Sequence, residues 1–328
     1  MVSIDQFDVI KTIGSGSFGK ITLCRDNEQN DLYAVKTISK FTLSNLEDIK
    51  HVKEEREILE RVSGYSFFPT LYWAFEDLEN FYFVMPFLQG GDLYRRISMK
   101  HRHSSFEQRI IIAEIAFALQ TLHSMDIVYG DLKPENIMFD GDGHVVLTDF
   151  GLSSQMKGKE YLKKRCGTME YICPELFEDE RYSKSIDFWA FGLIIYELIT
   201  VRSYFNAGNK SSTEFYREMM NKPIDFKSCR ELTYDQRDLC SRLVKRDYFE
   251  RLDCWQTVMK HPLFDGLDWD VLKSRGYNMP TNCKNLAPTD TIHFSFDSSS
   301  RSSGDDKLPY SMYFLTFKGF KNFYYSIK

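Results

Sequence analysis

The sequence predicts an α+β fold, with a small, mostly antiparallel β portion followed by a larger, mainly helical one. Three observations carry this. Strand-like apolar runs cluster before residue 86, at Phe7 to Ile13, Ile21 to Cys24, Leu32 to Lys36 and Phe81 to Met85. One helix-like run, Leu46 to Val62, interrupts them. From Phe106 onward the apolar spacing is helical, at 106–123 and again from Ile186 to about residue 261. Strands and helices segregated along the chain belong to the α+β class.

Taken in order, the first six residues are too few to form an element of their own. Phe7 to Ile13 alternates as a strand does and leads into Ile13-Gly14-Ser15-Gly16-Ser17-Phe18-Gly19-Lys20-Ile21. Three glycines at this spacing let backbone approach phosphate groups with no side chain between. The pattern is shared with dinucleotide-binding turns and with hairpins that bind nothing. A dinucleotide fold would open a helix after Gly19, whereas strand-like residues follow, so a hairpin is expected. Lys36 ends the third strand, where a plain surface lysine is the competing reading. In 46–62, Val52, Glu55, Ile58, Leu59 and Val62 share one face, which sets Glu55 on an apolar stripe. The alternative is one more helix-face charge beside Glu54 and Glu57. Phe81 to Met85 reads as a buried strand that turns out through Pro86-Phe87-Leu88-Gln89-Gly90-Gly91-Asp92. Phe106 to His123 is read as core and carries no predicted site.

Composition is that of an ordinary globular chain, with 43% hydrophobic and 27% charged residues over 328 positions. The net charge of −5 argues against a nucleic-acid footprint or a polybasic membrane anchor. The seven cysteines lack metal-ligand spacing and are expected as free thiols in a reducing compartment. The apolar segments 110–119 and 188–199 carry Glu114 and Glu197 and are too short to span a bilayer. No leader is recognised, and a soluble cytoplasmic protein is expected, with nuclear access left open.

The chemistry concentrates in Tyr129-Gly130-Asp131-Leu132-Lys133-Pro134-Glu135-Asn136 and Thr148-Asp149-Phe150-Gly151, polar turns between short apolar runs. Transfer of a terminal phosphoryl group needs a group to orient the attacking hydroxyl, a cation on the moving oxygens and ligands for magnesium. Asp131, Lys133 and the pair Asn136 plus Asp149 can supply these. A solvated turn is the plain alternative, since Asp, Asn, Lys and Gly are common turn residues.

Together the two strings resemble the H-R-D-L-x-x-x-N and D-F-G signatures of protein kinases in order, identity and separation. The resemblance is to the AGC group of serine/threonine kinases, which includes the cyclic-AMP-dependent enzymes. It implies a bilobal kinase fold over 7–264, with an N-lobe at about 7–85, a hinge at 86–91, a C-lobe at 92–264 and an AGC-type tail at 265–328. It implies ATP and Mg2+ as cofactors, with Asp131, Lys133, Lys36 and Glu55 catalytic and Asn136 and Asp149 on the metal. The ATP site would comprise Ile13, Gly14, Ser15, Gly16, Ser17, Phe18, Gly19, Lys20, Ile21, Ala34, Lys36, Met85, Pro86, Leu88, Asp92, Met138 and Thr148. Met85 would be the gatekeeper, and Ile21, Ala34 and Met138 would sandwich adenine. Asp92, Glu135 and Glu197 match acidic positions that bind arginines of basophilic substrates, and Thr168 matches the threonine that bonds the catalytic aspartate and lysine. Cys166 to Glu175 resembles the substrate-docking loop, with Cys173 in place of an alanine, which disfavours a small-molecule kinase. Asp187 and Arg251 match scaffold positions, the arginine meeting Glu175. In the tail, the resemblance implies a Ser-rich linker at Ser298 to Ser303, an aromatic near adenine at Phe294 or Phe296, and a hydrophobic motif at Phe314 to Phe320 docking beside the Glu55 helix.

The chain departs from this pattern at Gly130, which replaces the arginine that grips an activation-loop phosphate. Lys164 stands where the phosphorylated threonine would be, and Ser153 and Ser154 stand where a lysine is usual. Of the customary basic partners only His51 remains. Receptor and ligand are lost together, so the expectation is a kinase acting on protein substrates with Arg or Lys upstream of Ser or Thr, without a loop phosphate. The alternative is a weakly active or inactive ATP-binding pseudokinase that serves as a scaffold. Control by a regulatory protein is left open.

Overall fold

The computed structural model describes residues 2–16, 19–163, 167–178, 181–280, 289 and 323–326. Its first lobe is one antiparallel sheet formed by β1 (Phe7–Gly16), β2 (Gly19–Asp26), β3 (Leu32–Ser39), β4 (Trp73–Glu76) and β5 (Asn80–Pro86), with helix α1 (Leu46–Val62) packed on it. The strand order is β1-β2-β3-β5-β4, and a short C-terminal strand adds to the β4 edge. The expected hairpin is present, Gly16 pairing with Gly19 and Gly14 with Ile21. One small expectation fails: residues Ile4–Gln6 form a 3-10 turn, closed by Ser3 and Gln6 capping each other.

Helix α1 begins where Asn45 accepts the backbone N–H groups of Glu47 and Asp48, and Asp48 returns a bond to the Asn45 N–H. Its buried face is Ile49, Val52, Glu55, Ile58, Leu59 and Val62. The carboxylate of Glu55 therefore enters the core on the same stripe as the aliphatic residues, and needs a partner there.

The second lobe contains α2 (Leu93–Ser98), α3 (Ser105–Ser124), the short strands β6 (Ile127–Val128), β7 (Ile137–Phe139), β8 (Val145–Leu147), β9 (Ser154–Gln155) and β10 (Leu162–Lys163), then α4 (Pro174–Glu178), β11 (Arg181–Tyr182), α5 (Ser185–Thr200), α6 (Ser212–Asn221), α7 (Tyr234–Leu243), α8 (Trp255–Met259) and α9 (Trp269–Lys273). The short strands pair β7 with β8, β6 with β9 and β10 with β11. Helices α3 and α5, the two apolar segments of the sequence, form the centre of this lobe. Glu114 on α3 is buried and accepts Val145 N–H at 2.8 Å while lying 2.6 Å from His144 Nδ1. Among the described residues no helix is long and apolar enough to cross a membrane.

Helix α5 lies against α7 across Gly192. A Cβ there would stand 2.6 Å from Val244 Cγ2 and 2.9 Å from Leu243 Cβ, so the contact tolerates no side chain. Gly192→Ala is expected to destabilise the protein by about 1–3 kcal/mol, the usual cost of overpacking, read as a lower denaturant midpoint. An unchanged midpoint would show that the two helices part freely.

The chain returns to the first lobe at its end. Phe323 is buried with its ring 4.6 Å from Phe81 and 5.8 Å from Phe83. Strand β12 (Tyr325–Ser326) then pairs antiparallel with β4, Tyr325 opposite Ala74 and Ser326 opposite Trp73. The tail features expected at Phe294, Phe296, Ser298 to Ser303 and Phe314 to Phe320 lie outside the described residues, as do Ser17, Phe18, Lys164, Cys166 and Cys283. The five described cysteines are free thiols.

Candidate active site

Two clusters of charged side chains lie close enough for Lys133 and Asp149 to interact electrostatically. On the sheet side, Lys36 Nζ reaches Glu55 Oε1 at 2.6 Å and Asp149 Oδ1 at 2.8 Å. Burial alone would lower the Lys36 ammonium, but the Asp149 and Glu55 carboxylates outweigh it and the net displacement is upward. Burial pushes Glu55 up, against the opposing charge of Lys36. Asp149 is held below the ordinary carboxylate range because Lys36 outweighs its partial loss of water. Its side chain is 44% exposed. Asp149 also adopts φ 55°, a left-handed conformation that few non-glycine residues take outside constrained sites.

On the helical side, the turn between β6 and β7 brings Asp131, Lys133 and Asn136 together. Lys133 Nζ lies 2.7 Å from Asp131 Oδ2 and donates to Thr168 Oγ1 at 3.0 Å. Thr168 in turn donates to Asp131 Oδ1 at 3.0 Å, closing a ring of three side chains. Burial opposes the charge of Lys133, yet the Asp131 carboxylate prevails and displaces it upward. The Asn136 amide donates to the Asp131 backbone carbonyl at 2.9 Å and to Oδ2 at 3.1 Å, which orients its carbonyl oxygen away from Asp131. Thr148 is tied to the same turn, its N–H donating to Asn136 O at 3.0 Å.

The loop itself is held from beneath. The Tyr129 hydroxyl donates to Thr148 O, and Asp187 on α5 accepts Tyr129 N–H at 2.8 Å and Gly130 N–H at 2.9 Å. The expected scaffold pair is present: Arg251 grips Glu175 with two bonds, at 2.5 and 2.9 Å. Burial drives the Cys173 thiol well up, which leaves it unreactive.

A small apolar group stands separate from the main core. Ile13 and Leu23 are its buried centre, with Ile21, Leu32, Ala34, Phe87 and Met138 around them. The structure thus brings together the expected Ile13, Ile21, Ala34 and Met138, and adds Leu23, Leu32 and Phe87. In the sequence each of these three sits in a run that reads as plain core or turn. Met85 is partly buried and packs against the main core. Pro86 pairs with Tyr33 at the end of β5, and Leu88 O accepts Gly91 N–H at 3.4 Å. Lys20 is exposed on β2, next to Gly19. The joining segment is docked on β7 by bonds from Gly90 N to Phe139 O and from Phe139 N to Gly91 O.

The acidic residues expected to meet substrate fall in three settings. Asp92 is buried and caps α2, accepting Arg95 N–H at 2.7 Å. Glu197 is buried and accepts the Tyr171 hydroxyl at 2.6 Å and the Ser203 hydroxyl at 2.8 Å. Glu135 is pushed up, chiefly by burial and also by the Glu197 and Asp92 carboxylates, and its Oε2 has no hydrogen-bond partner among the described residues.

A magnesium ion fits this donor set. Asp149 and Asn136 offer hard oxygens from two loops that meet, and among the described residues no group of three or more acidic, His or Cys side chains forms a closed cage. One or two protein oxygens completed by phosphate and water are what magnesium ordinarily takes.

Residues 7–264 match the family model described as the protein kinase domain. The chain is 35% identical over 282 residues to cAMP-dependent protein kinase type 3 of Saccharomyces cerevisiae, covering 85% of this chain and 69% of that one. It is 34% identical over 293 residues to serine/threonine-protein kinase Sgk1 of Danio rerio and of Homo sapiens, covering 88% of this chain and 67% of each relative.

Proposed function

Because the chain belongs to the protein kinase family, as a serine/threonine kinase of the AGC kind, we propose that it moves the γ-phosphoryl of ATP to Ser or Thr of basic protein segments, and needs no activation-loop phosphate. The observation that carries this is the Asp131–Lys133–Thr168 ring standing beside the Lys36–Glu55–Asp149 cluster, with Lys133 and Asp149 interacting electrostatically. Asp131 orients the attacking hydroxyl and accepts its proton. Lys133 steadies the moving phosphoryl oxygens, and Thr168 keeps both side chains in register. Lys36, fixed by Glu55, grips the α- and β-phosphates, while the apolar group around Ile13 and Met138 encloses the base. Asn136 and Asp149 would hold magnesium, which would supply positive charge to offset that of the phosphates.

Independence from a loop phosphate is supported by ties that need none. Ser153 Oγ donates to Tyr129 O at 2.8 Å. The next strand pairs with β6, and Gln155 N donates to Glu54 Oε1 at 2.9 Å. Arg61 bonds both Gln155 Oε1 at 3.0 Å and Met125 O at 2.9 Å. Downstream, Leu162 and Lys163 pair with Tyr182 and Arg181. Helix α1, which carries Glu55, is thereby joined to the start of the activation segment by neutral and singly charged bonds.

A preference for arginine is supported by Glu135. A half-buried carboxylate whose shielded Oε2 is unpartnered among the described residues, beside two further carboxylates, is a place for a guanidinium. Glu135→Gln is expected to lower kcat/KM by roughly 10- to 100-fold for a Ser peptide with upstream arginines, the worth of a charged hydrogen bond, and to leave an arginine-free peptide unaffected. A wild-type enzyme that loses nothing when the upstream arginines are removed would sink the basic-substrate assignment.

A further inference from the structure

One line of buried polar groups runs from α8 to the loop that carries Asp131 and has no part in the chemistry above. Trp255, the first residue of α8, directs its indole Nε1–H to His123 Nδ1 at 2.9 Å. The other ring nitrogen of His123, near the end of α3, lies 2.7 Å from Asp187 Oδ2. The same Oδ2 accepts Tyr129 N–H, and Oδ1 accepts Gly130 N–H. His123 is 5% exposed, Trp255 8% and Asp187 1%, so water does not substitute for any of these bonds.

The geometry decides where the imidazole proton sits. An indole N–H can only donate, so Nδ1 must accept, and the ring proton is on Nε2, donated to Asp187. Asp187 thus holds three donors with two oxygens, and its position is set from three directions.

That matters here because of Gly130. This residue, at φ 79°, joins Tyr129 to Asp131. Glycine has the widest backbone freedom of any residue and no side chain with which to anchor itself. The direction in which the chain enters Asp131 therefore rests on what holds the amides of residues 129 and 130. We infer that Trp255 is a positioning residue for phosphoryl transfer: its N–H seats the His123 ring through Nδ1, the ring's Nε2–H holds Asp187, and Asp187 fixes the backbone that presents Asp131. The catalytic half of this inference rests on the kinase reading; the structural half does not.

Packing alone is the competing account, since the Trp255 ring also lies 4.3 Å from Phe188 and 6.1 Å from Phe191. Trp255→Phe separates the two, keeping an aromatic ring and removing the N–H. It is expected to lower kcat about tenfold, equivalent to about 1.4 kcal/mol, with KM for MgATP within about twofold. Hydrogen exchange at the Tyr129 and Gly130 amides should quicken. In nitrogen-15 NMR the wild-type His123 ring should show its proton on Nε2 and an Nδ1 resonance displaced by the Trp255 hydrogen bond, a displacement that Trp255→Phe loses. Trp255→Leu, which removes the ring as well, reports the packing cost: if packing were the whole role, kcat would follow thermal stability across both variants. Wild-type kcat and unchanged exchange in Trp255→Phe, or a wild-type proton on Nδ1, would overturn the inference. Should the wild-type protein transfer no phosphoryl group, the exchange and NMR results still decide the relay, and the kinase reading fails separately.

Discussion

Asp131→Asn is expected to reduce kcat by roughly 10³-fold, within the 10²–10⁴ range for loss of a general base, while KM for MgATP changes by less than about threefold. The substitution keeps the shape of the side chain and removes its charge. Asp131 now accepts from Lys133, Thr168 and Asn136 at 2.7 to 3.1 Å. An amide would turn one NH2 towards at least one of these donors, so the ring that aligns the loop opens as the proton acceptor is lost. Asp131 is not among the residues proposed to contact the nucleotide, which is why binding should survive. The check is steady-state kinetics beside a direct MgATP binding measurement. A variant with tenth-wild-type kcat or better would remove Asp131 from the centre of the chemistry.

Glu55→Ala should damage both stability and rate. Glu55 and Lys36 are buried at 3% and 8% exposure, so the pair has been taken out of water and depends on its own attraction. Removing one partner of a buried pair typically costs about 3–5 kcal/mol, and the retained Asp149 contact puts this case at the lower end. Lys36 would then lean on Asp149 alone and draw it away from a metal ion. A loss of roughly 10²-fold in kcat/KM for MgATP is expected, together with a lower denaturant midpoint. Wild-type kcat/KM would mean that Lys36 needs no orienting carboxylate.

Much of this site was legible because its residues come as short strings. The glycine hairpin, Lys36, Glu55 and the two loop strings are local signals, and α1, α3 and α5 are long enough for periodicity to speak. Strands β6, β9, β10 and β11 have two residues each, too few for any period, and they appear only through their pairing partners. The arrival of Phe323 on the β5 aromatics was equally hidden, since its partners Phe81 and Phe83 lie some 240 residues earlier. His123 reads as one more residue of an apolar helix. Its meaning depends on Asp187 and Trp255, 64 and 132 positions away. Arg61 and Gln155, which tie α1 to the activation segment, are common surface residue types and carry no pattern of their own.

The most direct test is transfer of labelled phosphate from MgATP to arginine-bearing Ser/Thr peptides by bacterially produced protein that mass spectrometry shows to be unphosphorylated. Transfer that is lost in Asp131→Asn is the predicted result, and would establish a kinase whose activation segment is ordered by its own side chains. Protein that binds MgATP, yet transfers nothing to any of these peptides until its loop is phosphorylated, or at all, would contradict it and leave an ATP-binding scaffold as the better description.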